Sequence, residues 1–342
     1  MTLALLGLGA APPALGVQLG AYYCPADPCD ATSTETLNAY RAKFGAYPDL
    51  ALNFRDLDQP FLYPGEGDEL RARGIAPMIT LEPVADEVEV PSAAIAAGGY
   101  DAELRADARV AAAYGGRVLL RYAQEMNATW FPRRSTDPAA FVAAWVRIVK
   151  IFRESGADNV AFVWTPSVEV AGTEPMAAYF PGDAFVDYVG LDGYNWGGSR
   201  WQSFGQIFAE DYRRISELSE RPFIIGETAS AAGAGKAEWI RNAFGREIPR
   251  GFPRIAAVVW FSKDLSGEGQ RDWRIETSPA AAAAWGEIAS ATPYGGTLPL
   301  AKLQRPHPAG DVKAASTSET PSLLETLLAL LLGVLSSLAG AG

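Results

Sequence analysis

The sequence predicts an α/β fold in which eight parallel strands, each followed by a helix, close into a (β/α)8 barrel. Short apolar runs alternate with longer helical patterns from Val17 to about Ser290, and crossovers of this kind join parallel strands into one sheet. The runs are nearly continuously apolar, as expected for strands covered on both faces. An open doubly wound sheet is the alternative, but it would need a Gly-rich phosphate loop after the first strand, and "AYYCPADPCD" is not one.

The strands and helices follow from hydrophobic periodicity. The eight predicted strands are short apolar segments that begin at Val17, Asp49, Ile75, Arg117, Asn159, Val186, Pro222 and Ile255. The predicted helices show apolar spacings of three and four and begin near Thr34, Asp101, Asp137, Ser203, Lys236 and Pro279. The first of these helices follows a Ser/Thr cluster and stops at Gly45, which is a typical cap and stop.

The two ends of the chain differ in composition from this domain of residues 17–296. Residues 1–16 form an apolar segment that no Lys or Arg precedes, so the usual signal-peptide pattern is not evident. Residues 297–321 are rich in Pro, Ser, Thr and Ala and are predicted to be a linker. Residues 322–342 are predicted to be a Leu-rich helix, for which three roles stay open: a membrane anchor, an oligomer-forming or assembly-docking helix, and a processed signal.

The composition excludes several classes of function. The chain has 342 residues and a formal net charge of -11 without a basic cluster, so a nucleic-acid partner is not expected. A single histidine, His307, argues against a Ser-His-Asp triad or a multi-histidine zinc site, and we expect no cofactor or metal. Cys24 and Cys29 are the two cysteines, and the intervening prolines favour a small disulfide loop slightly over two free thiols.

Carboxylates occur at the ends of several predicted strands. In a (β/α)8 barrel these ends converge on one face, where catalytic groups are found. The residues at these positions are Glu82, Glu125, Asp192 with Tyr194, Glu227 and Trp260. Converging carboxylates repel one another and are costly to desolvate, so stability alone does not favour them. Paired carboxylates with aromatic platforms are typical of glycoside hydrolysis, where one carboxyl donates a proton and the other attacks the anomeric carbon.

Five ordered segments resemble glycoside hydrolase family 26, over roughly Val17 to Ile288. They are "LLRYAQEMNATWFP", "VAFVWTPS", "YFPGDAFVDYVGLDGYNWG", "PFIIGETAS" and "AVVWFSKD…DWRI". That family contains β-mannanases, β-1,3:1,4-glucanases and β-1,3-xylanases in a clan of retaining (β/α)8 enzymes. The resemblance implies Glu125 as the acid/base and Glu227 as the nucleophile. It also implies substrate contacts from Trp130, Tyr194 and Trp260, with Tyr194 near the nucleophile.

The sequence departs from the family pattern at three places. Gln124 stands before Glu125 where members usually carry His, and an amide donates hydrogen bonds but does not titrate near neutral pH. Arg133 and Arg134 follow in "FPRR" where an aromatic-Pro-Trp segment is frequent, which makes an acidic or unusual glycan conceivable. Glu82 lies where mannanases commonly have His, and this weakens a mannan assignment in particular.

The remaining site candidates are assigned from their positions on the strands. Asn127 arrives at the family spacing and is expected at the sugar site, as are Glu82 and Gln124. Arg121 shares strand parity with Glu125, so both should point into the barrel, and a buried Arg needs a carboxylate. Its partner is either Glu227 or an acid elsewhere in the structure. Asp192 is either a scaffold or ligand-contact residue of the site or a loop-capping acid.

The sequence thus predicts a retaining hydrolase that cleaves a β-linked polysaccharide, such as mannan, mixed-linkage glucan or a surface glycan, in an endo fashion. We expect it outside the cell or at the cell surface or envelope, including association with a virion. The alternative is a barrel that binds glycan without cutting it, as a structural or adhesion component of a larger assembly. Membrane or assembly contact through the Leu-rich segment also stays open.

Overall fold

The computed structural model describes residues 16–26, 29–130, 137–291 and 294. The N-terminal apolar segment, apart from Gly16, lies outside these residues, as do Arg133, Arg134, His307, the predicted linker and the Leu-rich segment. Within the part of the chain that is described, no helix is both long enough and apolar enough to cross a membrane.

Eight parallel strands form a closed barrel, which confirms the predicted fold class. The barrel strands are β1 (Gln18–Tyr23), β2 (Leu50–Asp56), β3 (Ala76–Glu82), β6 (Val118–Tyr122), β7 (Val160–Trp164), β8 (Tyr188–Asn195), β9 (Phe223–Ser230) and β10 (Ile255–Ser262). Their order around the barrel is β1-β10-β9-β8-β7-β6-β3-β2, and β1 also pairs with β2, which closes the sheet.

Helices follow the strands where helical spacing predicts them. The long ones are α1 (Thr34–Phe44), α4 (Asp101–Tyr114), α5 (Pro138–Glu154), α6 (Phe204–Leu218) and α9 (Pro279–Ala289), with the shorter α7 (Lys236–Asn242) and α8 (Ile248–Gly251) joined by a π-helical turn. The side chain of Ser33 caps α1 by accepting a hydrogen bond from the backbone N–H of Thr36, and Gly45 ends the helix with φ of 89°.

Some short elements were not predicted. They are the helices α2 (Glu66–Ala72) and α3 (Ser92–Ala96) and the hairpin of β4 (Val84–Ala85) and β5 (Val88–Glu89). Elements of two to seven residues contain too few positions for a hydrophobic period to be recognised.

Two apolar layers hold the barrel together. Side chains such as Leu52, Met78, Leu119 and Val259 fill the barrel interior, and a larger cluster packs the strands against the helices. Because side chains alternate along a strand, neighbours of the interior residues belong to the outer layer. Polar side chains lie instead at the carboxyl ends of the strands. Near one of these ends, Cys24 and Cys29 form a disulfide, the slightly favoured of the two alternatives.

Candidate active site

A cleft of about 980 Å³ opens at the carboxyl ends of the barrel strands. Glu82, Gln124, Glu125, Tyr194 and Glu227 all line it, so these predicted site residues lie together. Its wall is partly aromatic and partly charged, which suits a ligand with apolar faces and many hydroxyl groups.

A buried arginine anchors the floor of the cleft. Arg121 follows Leu119 with the same parity on β6 and points into the barrel, as predicted. Its Nε donates to Thr80 Oγ1 at 2.8 Å, its Nη1 donates to Asp192 Oδ2 at 3.0 Å, and its Nη2 donates to Glu227 Oε1. Arg121 and Asp192 are fully buried, and Glu227 is 6% exposed. One guanidinium therefore holds two buried carboxylates.

Burial and charge shift the pKa values of this cluster. Desolvation raises the pKa of Asp192 well above its ordinary value, although the charge of Arg121 opposes the shift. Burial lowers the pKa of Arg121, but the carboxylates of Asp192 and Glu227 outweigh it, so the pKa is raised overall and the guanidinium stays charged. Its positive charge is therefore a fixed feature of the site.

An irregularity in β9 brings Glu227 to the cleft. Ile224 points into the barrel, so strict alternation would place Glu227 on the outer face. The pairing with β8 instead shifts between Leu191↔Ile225 and Asp192↔Glu227, which makes Gly226 an extra residue. A Cβ on Gly226 would lie 2.6 Å from Asp192 Oδ1, so only glycine fits beside the buried acid.

Both carboxylate oxygens of Glu227 accept hydrogen bonds. Arg121 donates to Oε1, and the hydroxyl of Tyr194 donates to Oε2 at 2.5 Å. Burial first, and then the nearby negative charges of Glu227 and Glu125, raise the pKa of Tyr194 well above its ordinary value. Tyr194 therefore keeps its proton and remains a donor, and its position beside Glu227 is as predicted.

Glu125 reaches the cleft from a strained turn and not from a strand. β6 ends at Tyr122, and both Ala123 and Glu125 have left-handed backbone, with φ of 47° and 53°. Strand alternation therefore ends at Tyr122 and does not set the direction of the Glu125 side chain. Backbone bonds hold the turn between its neighbouring strands, from Ala123 N to Leu81 O and from Glu125 N to Thr165 O, each at 3.0 Å.

Trp130 and Gln124 each contact one carboxylate of the cleft. The indole Nε1 of Trp130, whose side chain is 46% exposed, donates to Glu125 Oε2 at 2.7 Å. Gln124 Nε2 donates to Glu82 Oε1 at 3.1 Å. Gln124, which stands where the family usually has histidine, thus orients the carboxylate of Glu82 at the cleft surface.

Trp260 does not line the cleft, so its prediction as a sugar platform is wrong. Ala257 and Val259 point into the barrel, so Trp260 points outward. It is fully buried, packs against Trp239 and Trp285, and its Nε1 donates to Trp273 O at 2.8 Å. The next residue, Phe261, has the inward parity and lines the cleft.

Asn127, Asp192 and Arg121 are also too buried to contact a ligand directly. The amide of Asn127 accepts a hydrogen bond from Ser167 N at 2.8 Å and donates to Ser167 O at 3.0 Å, so it ties the loop after β6 to the loop after β7. Arg121 donates to both Asp192 and Glu227, so it holds the Glu227 carboxylate from within the barrel. Direct substrate contact by Asn127 and Arg121 is therefore replaced by a supporting position, whereas for Asp192 the scaffold alternative holds and Glu227 is the partner of Arg121.

The cleft also contains residues that were not predicted. Those from the strand ends β1, β2 and β10 and the loop after β10 are mainly aromatic, and they include Tyr22, Phe54, Phe261, Trp273 and Lys263. Strand parity could have identified Phe261, since it lies two residues beyond the inward Val259. No group of three or more metal-ligating side chains is found within residues 16–26, 29–130, 137–291 and 294.

Comparison with known proteins agrees with this geometry. Residues 109–243 match the model of glycosyl hydrolase family 26. The barrel superposes on the catalytic domain of the endo-β-1,4-mannanase of Bacillus sp. JAMB-750 with a TM-score of 0.60, covering 82% of this chain and 87% of that chain at 14% identity. The chain is similar to glycosyl hydrolase family 26.

Curated relatives match part of this chain. Endoglucanase H of Acetivibrio thermocellus is 36% identical over 237 residues, which is 66% of this chain and 25% of that protein. Mannan endo-1,4-beta-mannosidase A and B of Caldalkalibacillus mannanilyticus is 25% identical over 173 residues, which is 47% of this chain and 31% of that protein. The chain thus matches about a quarter to a third of the length of these two relatives.

Proposed function

We propose that the protein is a retaining endo-β-glycanase in which Glu125 is the acid/base and Glu227 the nucleophile. The observation that carries the proposal is the placement of both carboxylates in one cleft, with Arg121 and Tyr194 donating to Glu227. The family match and the names of the relatives support the same class of reaction.

The reaction consists of two displacements at the anomeric carbon. Glu227 attacks C1 while Glu125 gives its proton to the glycosidic oxygen, so the C1–O bond breaks and the leaving chain departs with that proton. Glu125, now a carboxylate, then takes a proton from water, whose oxygen displaces Glu227 from C1. Two inversions restore the original configuration.

The surroundings of the two acids fit these different roles. Glu227 must attack as an anion, and it lies between a guanidinium and a protonated tyrosine hydroxyl. Glu125 must carry a proton to an oxygen in the cleft, and it lies at the cleft wall next to the exposed indole of Trp130. Residues of this chain are sufficient for each step, without a cofactor.

A β-linked glucan is the substrate that we favour over mannan. The relative named an endoglucanase is 36% identical to this chain, whereas the relative named a mannosidase is 25% identical. Glu82, which lies where mannanases commonly have His, also accepts a hydrogen bond from Gln124. A polymeric substrate implies action outside the cell or at its surface.

Reducing-sugar release tests the proposal. Wild type should cleave barley mixed-linkage β-glucan faster than β-mannan or xylan, and Glu125→Ala and Glu227→Ala should each lose at least about a thousandfold of activity. Glu238→Ala, which changes an exposed glutamate on α7, is the matched control and should keep full activity. A wild type that binds these glycans but cleaves none would favour the non-catalytic barrel.

Stereochemistry separates the two carboxylate roles. Proton NMR should show the β-anomer as the first product of wild type, and an α-anomer would contradict a retaining reaction. Added azide should rescue Glu125→Ala to a β-glycosyl azide and Glu227→Ala to an α-glycosyl azide. The reverse pattern would exchange the two roles.

A further inference from the structure

An exposed tryptophan that the proposed reaction does not use lies beside the cleft. Trp201, on the loop between β8 and α6, is 41% exposed. Its two neighbours in the chain, Arg200 and Gln202, both line the cleft. Tryptophan is highly buried on average, so its exposure at the edge of a cleft calls for a reason.

The backbone around Trp201 is fixed on both sides. Its N–H donates to Gly198 O at 3.2 Å, which closes a turn in which Gly198 has φ of 57°. The next residue, Gln202, donates its N–H to Asn195 Oδ1 at 3.0 Å and accepts from Trp239 Nε1 at 2.8 Å. The indole is therefore presented from a pre-organised segment, which limits the entropy lost on binding.

One side of the indole rests on bare backbone. Gly235, in the loop after β9, is so close that a Cβ there would lie 3.0 Å from Trp201 Cη2 and 3.1 Å from Cζ2. A glycine at this position lets the chain lie directly against the ring. Because Trp201 as a whole residue is still 41% exposed, we take part of the ring to be available to a ligand.

Aromatic contacts lead from the proposed nucleophile to the start of the loop that carries Trp201. Tyr194, which donates to Glu227, packs on Trp273 with ring centroids 4.9 Å apart, and Trp273 packs on Trp196 at 5.2 Å. The guanidinium of Arg200 then lies 4.5 Å from the ring centroid of Trp196. Arg200 thus occupies space over Trp196, and the exposed ring of Trp201 comes next in the chain.

We infer that Trp201 forms a distal subsite that binds one sugar unit of the polysaccharide, beyond the units at Glu125 and Glu227. The occupant is a sugar, since both chain neighbours of Trp201 line the cleft and the lining residues Gln202 and Gln206 carry amides suited to hydroxyl groups. The apolar face of a pyranose packs on an indole as other flat apolar groups do. The nature of this sugar, a unit of a β-linked glycan, rests on the proposed function.

Substrate length provides the first test. On mixed-linkage β-glucan, Trp201→Ala should raise KM about tenfold with kcat retained, which corresponds to about 1.4 kcal/mol of binding. On the shortest cello- or mixed-linkage oligosaccharide that wild type cleaves, the two proteins should be equal. Trp201→Phe keeps a flat ring and should recover most of the affinity. Equal activity on the short substrate also shows that Trp201→Ala is folded.

A pair of glycine variants tests the position of the ring without removing it. Gly235→Ala places a Cβ against Trp201 and should displace the indole, so KM for the polymer should rise while the short substrate is unaffected. Gly233→Ala is the control, because a Cβ there meets no atom within 4 Å. Equal effects of the two substitutions would contradict the packing argument.

Binding measured without cleavage separates this inference from the proposed function. Wild type and Trp201→Ala are run in native gels that contain mixed-linkage β-glucan or β-mannan. If wild type is retarded but cleaves nothing, and Trp201→Ala loses the retardation, the subsite stands and the hydrolase proposal falls. If wild type cleaves the polymer and Trp201→Ala matches it in retardation and KM, the subsite is wrong and the hydrolase proposal stands. A wild type that neither binds nor cleaves contradicts both.

Discussion

Arg121 supports two carboxylates at once, so its removal is expected to cost unusually much. In Arg121→Met the buried side chains of Asp192 and Glu227 lose the guanidinium between them, and Thr80 loses its donor. Asp192 is fully buried, so water cannot replace its lost partner, and Glu227 is only 6% exposed. Breaking a buried ion pair by deleting one partner costs about 3–5 kcal/mol. That is a large share of the roughly 5–15 kcal/mol that keeps a domain folded.

The loss should depend on pH in a defined direction. Burial already raises the pKa of Asp192 in wild type, and removal of the cation should raise it further. A carboxyl whose folded pKa lies above its unfolded value of about 3.9 destabilises the fold as pH rises through the folded pKa. The difference between Arg121→Met and wild type should therefore be smaller at pH 4.5 than at pH 7.5, by up to about 1.4 kcal/mol per pH unit for the Asp192 carboxyl.

Urea unfolding followed by tryptophan fluorescence measures both effects. The double variant Arg121→Met/Asp192→Asn restores the formal charge of the wild-type cluster and is the control. It should be more stable than Arg121→Met at pH 7.5, although both lack the guanidinium that positions Glu227 and should be poor catalysts. The reasoning is refuted if Arg121→Met loses less than about 1 kcal/mol at pH 7.5. It is also refuted if the double variant is no more stable than the single one.

Three further outcomes follow from the same geometry. Tyr194→Phe removes the donor to Glu227 Oε2, and kcat on a cleaved β-glucan should fall about 10- to 100-fold, as for loss of a hydrogen bond to a charged group; an unchanged kcat would exclude this contribution. Gly226→Ala should destabilise the protein by about 1–3 kcal/mol in urea unfolding, because its Cβ would lie 2.9 Å from Arg121 Nη1. Gly251→Ala is the control and should leave the stability unchanged, because a Cβ at Gly251 meets no atom within 4 Å. Burial lowers the pKa of Lys236 to about 7, so the folded protein favours the neutral amine. The stability of Lys236→Met relative to wild type should therefore increase as pH falls from 10 to 7. A stability difference that does not change over this pH range would contradict that pKa.

The barrel was predictable because its signals are long and repeated. Each barrel strand is an apolar run, most are followed by a helix of recognisable period, and α1 has a serine cap and a glycine stop. The position of Arg121 inside the barrel followed from alternation alone, and its charge required an acid nearby. Short elements such as α3 and the β4–β5 hairpin have no comparable signal.

The site was harder to predict because it departs from regular strand geometry. The indole of Trp260 at a strand end favours a sugar platform, but parity assigns the inward position to Phe261. Glu227 was identified by resemblance, and regular alternation would have placed it outside the barrel; the bulge at Gly226 reverses that. Asn127 has the expected spacing, yet both ends of its amide bind backbone. Spacing locates a residue in a motif but does not show which way its side chain points.

The backbone strain at the end of β6 has a functional explanation. Four residues other than glycine have positive φ in the described part of the chain, and two of them, Asp86 and Glu87, form the tight turn between β4 and β5. The other two, Ala123 and Glu125, lie at the cleft, where no hairpin requires them. Such conformations cost about 1–3 kcal/mol each and persist only where the surroundings enforce them. Hydrogen bonds to Leu81 and Thr165 enforce them here, and the turn directs Glu125 into the cleft that Glu227 enters by its bulge. Both proposed catalytic acids thus reach the cleft through breaks in strand regularity that a stable barrel alone does not need.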